Sequence, residues 1–453
     1  MSNQGGSNQS GSERGETDLS GLKPSGSQEI DCARSCDDRH IEAALTFLTE
    51  LGTSTLESGY ATEATLLIVG SCAAAWGLRD VSVCGVGRVV IVQCSDNNGN
   101  TMSRLAEAST LDAFDCDRMR RIKDVARQTV VEQLHPNTAC ERLKAANAGP
   151  QPFPWWSVQA GGVLLAFCIC LQIGGHALAA VLAAGTQLVV NLSGRWFGKH
   201  GVPTFFTVAV QAAGAGAFGG LFHGLGWLTV AQAATVVATA WVLIAPLPQL
   251  MSTAIDVVSS DSLTALARAL GAALIIGGIT LGGLLMLALS WRFDLGIAGD
   301  PTLPQLPVWL GIIFAILGAI GNALFNVGGR NLLVPAAVAG LVTASVNQTL
   351  IHVGHLPSVW AGPLAAVVLG FLAAATANWL RLPMSALALV GITGALLPGL
   401  IVCQGLILSV YQVSGIGYFV QAGAVCVALG IGASFGVYLW SVLARSPWAA
   451  STD

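Results

Sequence analysis

The chain reads as an α-helical polytopic membrane protein. Ten transmembrane helices are expected in two inverted five-helix halves, preceded by a small α+β cytoplasmic domain. Three observations predict this. From Trp155 to Leu443 run 289 residues with only ten Asp, Glu, Lys or Arg, where a soluble domain of that length would carry about 70 at roughly 25% charged composition. Charge is segregated: residues 1–155 hold 14 of the 21 basic and 20 of the 25 acidic side chains, and no Glu follows Glu141. The charge-poor part divides into apolar segments near the ~20 residues a span needs. A charged side chain at a bilayer centre costs about 2.5–3.5 kcal/mol on insertion scales, which accounts for the depletion.

The elements follow in order. Residues 1–37 are rich in Ser, Gly and Gln and form a polar tail expected to be disordered. Residues 38–148 form the cytoplasmic α+β domain. Ile41, Leu45, Leu48 and Leu51 recur at helical spacing. Thr62 is an expected N-cap, with Leu66, Leu67, Val69 and Ala73 continuing an apolar face to Gly77. Asp80 to Ser95 alternates, is rich in Val and has Gly85 and Gly87 at its centre, the pattern of a hairpin. Asp96-Asn97-Asn98-Gly99 reads as a turn, and Arg118–Leu134 and Asn137–Ala146 as helices. Residues 149–156 are a linker of Pro150, Pro152 and Pro154 leading into Trp155-Trp156, which suits a membrane interface.

Ten spans follow: 157–173, 177–194, 203–222, 227–247, 268–290, 307–327, 332–351, 359–379, 383–409 and 418–442. They group into a first half over 157–290, an extracytoplasmic loop over 291–306, a second half over 307–443 and a cytoplasmic tail over 444–453. With the N-terminal domain in the cytoplasm, Arg195, Lys199, Arg268, Arg330, Arg381 and Arg445 fall inside and Arg292 outside, a strong positive-inside bias. A shift of 150 residues lays Pro248 on Pro398 and Leu281-Gly282-Gly283 on Ile431-Gly432-Ala433. Five spans per half would make such a repeat inverted, a common architecture of secondary transporters.

The candidate chemistry lies at helix breaks. Pro246 and Pro248 end the fourth span because each lacks an amide donor and clashes with the preceding turn. Gln249, Asp256, Asp261 and Arg268 follow. Exposed backbone at membrane depth is tolerated beside protein or a water-filled cavity. Asp261 and Arg268, seven apart, share a face if one helix holds both. They could pair, or present an anion and a cation to an amino-acid zwitterion. A carboxylate there could also carry a coupling proton. The alternative is a short loop with a capping Asp and a positive-inside Arg. Pro398 and Gly399, with Gln404 beyond, are the second-half counterpart. Asn322 and Asn326 are four apart on one helix face, as interhelical glue or as substrate contacts. Gly278 and Gly282, and Gly432 and Gly436, have the spacing of close helix packing.

No basic stripe suggests nucleic acid, and no cofactor or metal site is expected: Cys32 and Cys36 lack a partner pair at metal spacing. No phosphate-binding Gly-rich loop and no metalloprotease motif occurs, so an enzyme has no constellation to stand on.

Phe47-Leu48-Thr49-Glu50-Leu51-Gly52, Leu56 through Thr62, Trp76-Gly77-Leu78 and Pro154-Trp155-Trp156 resemble the opening and domain exit of the bacterial threonine/serine exporter family. Pro246-Leu247-Pro248 with Asp256, Asp261 and Arg268, and Leu397-Pro398-Gly399, are similar to its two break motifs. Gln249 departs from the family's usual Gly, which reaches φ > 0 more readily. The resemblance implies export of threonine and serine driven by the proton-motive force, from a bacterial inner membrane with both termini cytoplasmic. Its partners would be an amino acid, protons and lipid, and a homo-oligomer is compatible with it. A membrane receptor or regulator whose N-terminal domain senses a small ligand is the alternative, and a hydrolase built on residues 38–148 is a third.

Overall fold

The computed structural model describes residues 38–95, 100–111, 113–259, 261–292, 303–304, 306–396, 398–410 and 414–444. The polar tail with Cys32 and Cys36, the 96–99 turn, most of the loop after residue 292 and residues 445–453 lie outside the described residues.

The N-terminal unit is built as α1 (Asp38–Ser58), α2 (Thr62–Ala75), β1 (Arg79–Val86), β2 (Val89–Ser95), β3 (Thr101–Glu107), α3 (Cys116–Val131) and α4 (Pro136–Ala148). The strands pair antiparallel in the order β1-β2-β3. Val90, Val92 and Cys94 of β2 point into a core with Phe47, Leu48 and Leu51 of α1 and Met119 and Ile122 of α3. α1 runs past Gly52 because that glycine lets it approach β2: a Cβ there would come 2.7 Å from a Val90 methyl. It ends at Gly59, whose φ of +109° turns the chain.

The apolar part repeats a pattern of lengths. One set is α5 (Trp155–Gln172), α6 (Ala177–Lys199), α7 (Thr204–Gly224), α8 (Val230–Ile244), α9 (Leu247–Val258) and α10 (Ser262–Arg292). The other is α11 (Val308–Phe325), α12 (Arg330–His352), α13 (Ser358–Leu380), α14 (Met384–Ala395), α15 (Gly399–Val410) and α16 (Ile416–Ala444). Eight of the described helices are long and apolar enough to cross a membrane, or nine if the pair α8–α9, bent by 49°, is one broken span. This is coarser than the ten spans expected. α14 and α15 have 12 residues each, ~18 Å at 1.5 Å per residue, short of a ~30 Å hydrocarbon core.

Small residues set the tightest seams. A Cβ on Gly278 would meet the Phe205 carbonyl at 2.8 Å, and one on Gly282 would meet the Ala209 carbonyl. The contact climbs both chains together, so α7 and α10 are parallel. Gly432 against Pro363 and Gly436 against Val367 make α13 and α16 parallel in the same way. α5 and α11 pack antiparallel through Gly161 and Gly321. The short helices are exchanged between cores. Met251 of α9 is buried among α12–α16 residues such as Ala336, Leu369 and Leu429. Cys403, Leu406 and Ile407 of α15 are buried with Leu165, Ala212 and Trp241 of α5, α7 and α8.

Candidate functional site

The two helix breaks open on one hollow. Ala245 ends α8, Pro246 leads into α9 with φ −79° and ψ 57°, and no side chain caps the helix start. Pro398 stands directly before α15. Pro246 and Pro398 line the same cavity of about 720 Å³, within the ~300–1,000 Å³ usual for small-molecule sites. Its walls come from α8, α9 and α10 on one side and α15 and α16 on the other, with Trp241, Leu247, Ile279, Val402 and Phe419 among them. The lining is mostly apolar. Among the described residues its hydroxyls are Thr280, Ser409 and Ser414, and none of its side chains is charged. The Thr280 and Ser409 hydroxyls donate to the carbonyls of Ile276 and Gly405, which leaves their lone pairs toward other donors.

Each residue expected from the breaks has a definite place. Pro248 and Gln249 are half-buried on the first turns of α9 and are not among the cavity walls; Thr253 donates to the Gln249 carbonyl at 2.7 Å. Gly399 packs where a Cβ would come 2.8 Å from Ile173. Gln404 is exposed on α15 and does not face the hollow. Asp256 lies at the far end of α9, ten residues from Pro246 and so ~15 Å along the helix.

The expected face shared by Asp261 and Arg268 takes a different form. The helix that would carry both begins only at Ser262. The turn before it is closed by the Asp261 amide donating to the Asp256 carbonyl at 2.9 Å. That turn folds α9 back beside α10, and the ion pair forms between Asp256 Oδ2 and Arg268 Nε at 3.0 Å, with side-chain exposures of 0% and 1%. Asp261 accepts the Thr264 amide at 3.4 Å, at the start of α10. The pair faces the N-terminal unit. Asp256 Oδ1 accepts the Thr62 amide at 3.0 Å, and Arg268 donates to the Tyr60 carbonyl at 2.8 Å. Thr62 is therefore the first helical residue, after the N-cap Ala61, and its orphan amide is satisfied by a carboxylate from the bundle. Asn326 donates to the Asn322 side chain at 2.7 Å. The Asn326 carbonyl accepts the Cys116 amide at 3.1 Å.

The profile of the family described as "Putative threonine/serine exporter" matches residues 46–290 of the chain, more than half its length. The chain belongs to the threonine/serine exporter family. A protein of Mycobacterium tuberculosis (strain ATCC 25618 / H37Rv) named "Probable threonine/serine exporter" is 26% identical over 421 residues, which cover 90% of this chain and 78% of the relative. No solved structure matches the chain. A threonine/serine exporter is a multi-pass membrane transporter, and the apolar helices here agree with that.

Membership in the exporter family does not by itself point to the cavity walls. Thr280, Ser409 and Ser414 were not singled out by sequence reasoning, because lone hydroxyls in apolar helices look alike whichever way they face. The meeting of Pro246 with Pro398 at one hollow does not follow from the 150-residue shift, which lays Pro248 rather than Pro246 on Pro398.

Proposed function

We propose that this chain exports small hydroxy amino acids, threonine and serine, from the cytoplasm, driven by the proton-motive force. The observation that carries the reading is the single hollow walled by Pro246 and Pro398 together. Two interrupted helices meeting at a site between two bundles suit alternating access. Helix N-termini favour anions, so the starts of α9 and α15 would hold the substrate carboxylate. The hydroxyls of Thr280, Ser409 and Ser414 would receive its ammonium and side-chain hydroxyl.

The same reading takes α8–α9 and α14–α15 as two broken spans, which makes ten. With five spans per half the halves are inverted. The parallel pairs α7–α10 and α13–α16 support this, each the third and last spans of its set. Residues 256–268, 326–329 and 382 all touch the N-terminal unit, as they would if that end of the bundle is cytoplasmic. The protein would then sit in a bacterial inner membrane with both termini inside.

The test is efflux of labelled threonine from loaded cells with and without an uncoupler. Expression of the protein should raise efflux, and the uncoupler should abolish the increase. Efflux indifferent to both the protein and the proton gradient would end the reading. Binding without flux in liposomes would instead favour a receptor.

A further inference from the structure

The N-terminal unit grips the bundle at two points. At the first elbow, Tyr60 and Thr62 are held by Arg268 and Asp256. Ser259 donates to the Glu63 carboxylate, and the Gly87 amide donates to Thr264 Oγ1 at 3.2 Å. These partners all belong to α9, α10 and their turn. At the second elbow, the Cys116 amide is held by the Asn326 carbonyl after α11. Asp117 Oδ1 lies where a Cβ on Gly329 would be 3.1 Å away. Lys123 donates to the Leu382 carbonyl, between α13 and α14, at 3.3 Å. These partners all belong to the second set of helices.

The elbows are also tied to each other. The Asp115 amide donates to the Ser58 carbonyl at 3.1 Å, and Gly59 packs so closely that a Cβ would come 2.8 Å from the Ala113 carbonyl. Two stretches of the N-terminal unit, residues 58–63 and 113–123, are therefore joined to each other, and between them they hold α10 of the first set, with α9 beside it, and the second set. α9 then connects that bridge to the cavity: Pro246 is a cavity wall at one end, and Asp256 and Ser259 are gripped at the other.

We infer that the N-terminal domain is a latch across the cytoplasmic ends of the two halves, and that the buried Asp256–Arg268 pair is its seat rather than a contact for substrate. The inference rests on the transporter reading for its consequence, because a rigid bridge between two halves opposes their rocking. Transport requires at least one of the two grips to open in each cycle. The released charges explain why the seat is ionic: a buried pair separated from its partners is readily rehydrated, whereas an apolar seam would leave a greasy surface exposed.

The experiment uses the full-length protein in liposomes with two engineered cross-links, Glu63→Cys with Ser259→Cys and Asp117→Cys with Gly329→Cys. With both closed by oxidation, threonine flux should fall about tenfold or more and return on reduction. Either link alone should leave flux near that of the reduced protein. Unchanged flux with both links closed would overturn the latch, and so would arrest by one link alone. Hydrogen exchange supplies a readout that needs no transport. Arg268→Gln should speed exchange in both 58–66 and 113–118, and Lys123→Met, acting from the other grip, should do the same. Exchange that changes only at the substituted grip, or at neither, overturns the bridge. If coupled exchange is seen but no hydroxy amino acid is ever transported, the exporter reading fails and the bridge stands.

Discussion

Asp256 and Arg268 show how a buried charge pair constrains its own replacement. Both are removed from water and each also holds a backbone group of the N-terminal unit. Taking away one partner leaves the other charge buried alone, at a cost of about 3–5 kcal/mol. Asp256→Asn should therefore lower the melting temperature of the purified protein sharply and reduce efflux. Asp256→Asn combined with Arg268→Gln should recover much of the lost stability, because no lone charge remains. A double variant as unstable as the sum of its singles would show that the two side chains act independently. Glu57, in the N-terminal unit, gives a pH dependence. Burial pushes its carboxyl up, but the Ser109 amide at 2.8 Å and Arg118 at 2.8 Å outweigh that and hold it below the ordinary 4.5. A carboxylate held low stabilises the fold above its unfolded-state value, and that contribution fades as pH falls through the folded-state value. Glu57→Gln should lower the melting temperature at neutral pH, and the gap to the parent protein should close in acid below 4.5.

Helices that meet through glycine are the elements most easily broken by one substitution. Gly436 lets α16 lie directly on the Val367 carbonyl of α13. Gly436→Val should force the seam apart, at a cost of at least the ~1–3 kcal/mol typical of overpacking. Gly417→Ala, on the same helix with nothing within 4 Å, should be neutral. Melting of the two variants in detergent makes the comparison. These seams were legible beforehand as four-residue glycine spacings, and the long helices as uncharged runs. Two elements and one pairing were not. β3 reads Thr-Met-Ser-Arg-Leu-Ala-Glu and is largely exposed, so its sequence carries no alternation. α9 falls between two expected spans, where its two leading prolines and Asp256 conceal twelve helical residues. The Asp261–Arg268 face followed from counting sevens on one helix. The turn at Ser259 breaks that count and hands Arg268 to Asp256, three-dimensional information that spacing along the chain does not contain.

At the scale of the whole molecule, the exchange of α9 and α15 between cores explains why the two breaks are near each other at all. Each short helix starts at a proline and buries side chains in the other set's core while staying beside the last helix of its own set, so the breaks are drawn to the boundary where the cavity lies. The swap also requires the two sets of helices to be held face to face, which α5 and α11 achieve through Gly161 and Gly321. An inverted arrangement makes a sharp prediction about sidedness. Counting from a cytoplasmic N-terminal domain, the turn after α6 is cytoplasmic and the turn between α12 and α13 is external. His200 and His355 are both exposed in those turns. His355→Cys in intact cells should react with a membrane-impermeant maleimide above the background of the unsubstituted protein, and His200→Cys should react only after permeabilisation. Labelling of both from outside, or of neither, would require an odd number of crossings to be lost or gained between them. That would dissolve the pairing of α7–α10 with α13–α16 on which the inverted halves depend.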